Sequence, residues 1–135
     1  MGKNLVLAIL AVALFGGAYA FWTSANNQNA AEAAFNAAGG GLSEVALKGR
    51  NIFNSRCATC HGYDAGGGQN GPPLIHEIYE PSHHGDATFH LAVQNGVRAH
   101  HWQFGDMPPQ PGVKEADVDA IIAFVRETQR ANGIF

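Results

Sequence analysis

The chain has 135 residues, 46% of them hydrophobic and 14% charged, and a net charge of −3 with histidine neutral. That length suits one domain of ~100–200 residues, and without a basic field nucleic-acid binding is set aside. Two cysteines form one bridge at most, which excludes a disulfide-framework fold.

Lys3 is the only charge before Glu32, and Leu5 to Trp22 is an 18-residue run without a charge, Asn or Gln. Two readings compete. A basic start, an apolar stretch and the small-residue site Ala18-Tyr19-Ala20 match a cleaved signal peptide over 1–20. The same run reaches the lower end of the ~17–25 residues that span a bilayer, which makes 1–22 an uncleaved membrane anchor. Both readings export the rest of the chain, so the expected location is periplasmic or extracytoplasmic, soluble or tethered. Residues 21–42 are rich in Asn, Ala and Gly and read as a flexible linker. Residues 43–135 read as the folded domain.

Ser43 is a plausible N-cap before Glu44. Leu42, Val45, Ala46, Gly49, Ile52 and Phe53 then recur at helical spacing up to Arg56. Next comes Cys57-Ala58-Thr59-Cys60-His61. C-x-x-C-H is the attachment signal for haem c. Two thiols three residues apart project from one side of a helical turn, toward the two vinyl groups of one haem. The following histidine then lies beneath the iron as proximal ligand. Three other readings stay open: a thioredoxin-type pair, which wants a preceding strand; a zinc site completed by another histidine; and a Cys57–Cys60 disulfide.

Gly62 to Ser82 is rich in Gly and Pro and reads as loop. Gly66 to Gly71 formally contains G-x-G-x-x-G, but no strand precedes it and no helix follows, so it reads as a flexible loop rather than a phosphate site. Asp86 to Asn95 forms a second helix signal, with Phe89, Ala92 and Val93 on one face and Gly96 as its stop. His83-His84 and His100-His101 flank it, and His76 and His90 complete the six histidines outside the haem motif. They are either exposed loop histidines or a second metal site for copper or zinc. Adjacent histidines point apart in an extended chain, so a pair alone is not a chelate. Arg98 and Trp102 are candidate donors to a haem propionate. Met107, in Phe104-Gly105-Asp106-Met107-Pro108-Pro109, offers a thioether held by stiff prolines. It fits a second axial position on the iron better than core filling. A final helix starts at Glu115, with a stripe of Val118, Ile121, Ile122 and Val125. Arg126 and Arg130 lie near its end and Asn132-Gly133 closes it, a charge order that matches the helix dipole.

The stretch from about Ser43 to Ile134 resembles the class I c-type cytochromes. The resemblance rests on a helix carrying Gly49 and Phe53 that leads into Cys57–His61, on Gly71-Pro72-Pro73-Leu74, on Met107-Pro108, and on Phe124 in the last helix. It implies an all-α, cytochrome c-like fold of three to four helices and long loops around one covalent haem c. Cys57 and Cys60 would form the thioethers, and His61 and Met107 the axial ligands. The Pro72 carbonyl would hold the His61 ring, and Gly49 would allow the first and last helices to cross closely. The function implied is one-electron transfer between redox partner proteins, without substrate turnover. Two alternatives are a haem sensor or peroxidase-like protein with a labile sixth ligand, and a histidine-rich metal-binding cytochrome domain.

Overall fold

A computed structural model describes residues 41–135. The apolar N-terminal segment, the Ala18–Ala20 site and all but the last two residues of the linker lie outside the described residues. Leu42–Phe135 forms one compact unit. Among the described residues there are four helices and no strands: α1 (Glu44–Arg56), α2 (Ala58–His61), α3 (Asp86–Asn95) and α4 (Glu115–Ala131). Two 3₁₀ turns, Tyr63–Ala65 and Glu77–Tyr79, interrupt the long loop between α2 and α3. No helix of the described residues is long and apolar enough to cross a membrane.

Helix α1 begins at Ser43, whose Oγ accepts from the Ala46 N–H at 3.2 Å. The Ser43 backbone N–H and its Oγ–H each donate to the Glu127 carboxylate at 2.7 Å. One residue therefore caps α1 and fastens it to α4. The two helices cross at Gly49, where a Cβ would lie 1.8 Å from the Ala120 carbonyl oxygen. No side chain fits there, so glycine is required by the approach of the two backbones. Phe53 and Phe124 meet beside this crossing with ring centroids 5.8 Å apart. Around them Ala46, Ala65, Ile121 and Val125 complete the core.

That core is small for a unit of this size, and it lies almost wholly between α1 and α4. Val118, Ile121, Ile122 and Val125 are all buried, as their spacing predicts. Arg126 departs from the expectation. It is 6% exposed, and its Nε donates to Asp86 at 2.8 Å while Nη1 donates to the Tyr79 carbonyl at 2.6 Å and Gln129 Oε1 at 2.7 Å. Nη2 donates to the His84 carbonyl. A dipole argument treats Arg126 as a surface charge. Here it is a buried fork, whose five donors suit several carbonyls and a carboxylate at once.

The Gly66–Gly71 loop also differs from its flexible reading. Gly67 N–H donates to His61 O at 2.7 Å and Gly68 N–H to Gly71 O at 3.0 Å. A Cβ on Gly68 would lie 2.5 Å from the Cys60 carbonyl oxygen. The glycines are there because the loop packs directly on the backbone of α2.

Candidate haem site

Between α3, the loops and the face of α4 lies an apolar cavity of about 770 Å³, within the ~300–1,000 Å³ usual for a cofactor site. Phe53, Cys57, His61, Pro72, Trp102 and Met107 all line it. They reach the cavity from three separate stretches of the chain. Phe53 lies near the end of α1, His61 ends α2, and α3 contributes Phe89, Ala92 and Val93.

His61 Nδ1 lies 2.9 Å from the Pro72 carbonyl oxygen. A carbonyl only accepts, so the proton sits on Nδ1 and Nε2 keeps its lone pair for a metal. Met107 is held by a two-residue bridge, with N–H to O distances of 2.9 Å in both directions to Val97. The bridge depends on Gly96, whose φ is +74° and where a Cβ would lie 2.4 Å from Met107 O. Glycine at that stop therefore ends α3 and also admits the methionine loop.

Cys57 is half-buried and lines the cavity, and burial is the main cause that pushes its thiol pKa up. The neighbouring Cys60 adds to this, and Arg56 opposes it. Cys60 is exposed and outside the lining. Both cysteines are free, with no bond between them. Among the described residues neither cysteine joins a cluster of metal ligands; the cluster that forms is His83, His84 and His101. Arg98 is exposed and outside the lining, so the structure does not bring it to the cavity. Its carbonyl instead accepts from His100 Nδ1 at 2.8 Å.

Trp102 behaves differently. Its Nε1–H is buried and has no hydrogen-bond partner. An orphaned buried donor costs about 1–3 kcal/mol, and an acceptor on a bound group would remove that cost. Burial also raises the Tyr79 hydroxyl pKa. The arrangement fits a haem: an apolar chamber, a thiol and an imidazole nitrogen on its wall, a thioether, and one unsatisfied donor.

A family model described as cytochrome c matches residues 46–129, more than half of the chain. The chain belongs to the cytochrome c family. No match emerges among curated proteins or among solved structures. As a cytochrome c, the chain carries a covalently bound haem c and works as a haem-based electron carrier. Such domains are typically extracytoplasmic. The family match also gives the thin core of this cytochrome its reason, since the cofactor supplies apolar surface that side chains do not.

Two features of the cytochrome were not legible as site features. Tyr79 lines the cavity although nothing in the loop sequence marks it. Gln129 is 1% exposed and donates to the carbonyls of Leu74 and Tyr79, both at 2.9 Å. Its position on the α4 stripe is the one signal that points inward.

Proposed function

We propose that this cytochrome carries one electron at a time outside the cytoplasm, on a haem c with His61 and Met107 as axial ligands. Cys57 and Cys60 supply the thioether bonds, with Cys60 turning inward on attachment. The observation that carries the reading is that His61, with Nδ1 committed to Pro72 O at 2.9 Å, shares one apolar cavity with Met107. The bound haem supplies the redox couple. The Pro72 carbonyl fixes which imidazole nitrogen faces the iron and strengthens it as a donor. Met107 raises the potential relative to a second nitrogen ligand. The apolar lining excludes water, and Trp102 Nε1 offers a donor to a propionate. The electron comes from one redox partner protein and passes to another, with release from the membrane or tethering set by cleavage near Ala20.

Met107→Ala tests the ligand set. The oxidised protein should lose its weak near-infrared charge-transfer band and bind cyanide faster than wild type. An unchanged spectrum would move the sixth ligand to another side chain, most directly to one of the histidines that line the same cavity. Intact-mass analysis of protein made with haem maturation machinery should show one haem, absent in Cys57→Ser/Cys60→Ser.

A further inference from the structure

Four histidines converge from two distant parts of the chain. His83 and His84 follow the second 3₁₀ turn, and His100 and His101 follow α3. The His83 and His84 N–H groups both donate to Glu80 O, at 3.1 and 2.8 Å. This turn sends consecutive side chains the same way, and their rings stack at 4.7 Å and 19°. The expectation that neighbouring histidines diverge holds for extended chain and does not apply here. His101 packs on both rings, at 5.1 Å from His83 and 5.2 Å from His84, and lies 4.3 Å from His100.

One ring nitrogen from each of His83, His84 and His101 lies within 4.8 Å of the other two. Three Zn–N bonds of ~2.0–2.1 Å would need nitrogens roughly 3.4 Å apart. Rotation of exposed side chains covers that difference. His84 Nδ1 lies 2.6 Å from Ile78 O, and His100 Nδ1 is bound to Arg98 O. Each carbonyl holds the proton on Nδ1 and leaves Nε2 as the metal-binding atom, which is how metal-ligating imidazoles are oriented. Behind the turn, Arg126 anchors the carbonyls of Tyr79 and His84. His90 provides a contrast, since it stands apart and pairs with Asp119 at 3.1 Å.

We propose that His83, His84 and His101 form a binding site for one transition-metal ion of the zinc(II) or copper(II) class, with His100 as a fourth ligand. Neutral imidazoles select this class over calcium or magnesium, which take oxygen ligands. The cluster is open to solvent at His83 and His101, so an ion can reach it. All four histidines also line the haem cavity. A bound dication therefore stabilises the less positive, reduced state of the iron, and by linkage reduction tightens metal binding. This coupling rests on the haem reading; the binding does not.

The test uses untagged, haem-loaded protein and Zn²⁺ alone, with Cu²⁺ for electron paramagnetic resonance. Calorimetry should show one Zn²⁺ bound at micromolar concentration, and the Cu²⁺ spectrum should show nitrogen ligation. His83→Ala/His101→Ala should lose more than the ~10–100-fold typical of an outer-shell change, with the sixth iron position still closed to rapid cyanide binding. His90→Ala should bind as wild type. No binding to wild type, or full binding to the double variant, overturns the site. A sixth iron position that opens to rapid cyanide binding in the double variant assigns these histidines to the iron and also overturns it. Zn²⁺ should raise the haem midpoint potential; binding without that shift overturns the coupling alone.

Discussion

Asp64 shows how one side chain holds the segment after the haem motif. It sits at φ +57°, and its carboxylate accepts from Arg50 Nε and Nη2 at 2.7 and 2.6 Å and from Asn54 Nδ2 at 2.8 Å. The hydrogen bond from Arg50, then that from Asn54, lowers its pKa from 3.8 to about 2, with a smaller opposing effect of burial. A depressed carboxylate stabilises the fold above its unfolded pKa and loses that contribution as pH falls. The loss should run from about pH 4 to about pH 2. Both partners are nearly half exposed, so water screens the pair and the size stays below about 1 kcal/mol. Asp64→Asn should flatten acid unfolding in that window; an identical acid profile would count against the pairing. Gly49→Ala is more severe. A methyl group placed 1.8 Å from Ala120 O should cost about 3 kcal/mol through displaced backbone, read by urea denaturation.

At the scale of elements, α4 is the member on which the rest is assembled. It meets α1 at Gly49 and Ser43, and it meets α3 through the Arg126–Asp86 pair at 2.8 Å. Arg126 also stacks 5.1 Å from the Phe89 ring, which joins charge and packing in one residue. Arg126→Ala should strand the His84 carbonyl, leave the Tyr79 carbonyl to Gln129 alone and destabilise the domain by about 2 kcal/mol. Hydrogen exchange should speed up in 76–86 more than in α1. Uniform loosening of the whole domain would argue against a local role. Helix ends are readable because their chemistry is local: Ser43 before Glu44, Gly96 after Asn95, acidic residues opening α4. Arg126 escapes such a reading for the complementary reason. Its partners Asp86 and Tyr79 lie 40 or more residues away, and no spacing rule reports them.

At the scale of the molecule, the domain is built around a cavity of about 770 Å³ with its own packed core confined to one helix crossing. The haem is therefore part of the fold's interior. Cys57→Ser/Cys60→Ser should lose covalent haem, and near-UV circular dichroism should fall while much helical signal remains; undiminished near-UV signal would show a core that packs without the cofactor.

The sequence by itself determined α1, α3 and α4, the haem signal and the family resemblance, because each depends on neighbours within a few residues. The candidate ligand Met107 was also visible there, from its prolines and its place after α3. Only the tertiary structure decided which candidates share a space. It put Trp102 on the cavity wall with an unpaired donor, left Arg98 outside, and turned two divergent histidine pairs into one cluster. Side-chain direction depends on turns and long-range hydrogen bonds. The low charge and excess of histidine seen in the composition thus divide by physics: the first belongs in part to the N-terminal segment, and the second gathers on the wall of the cofactor site.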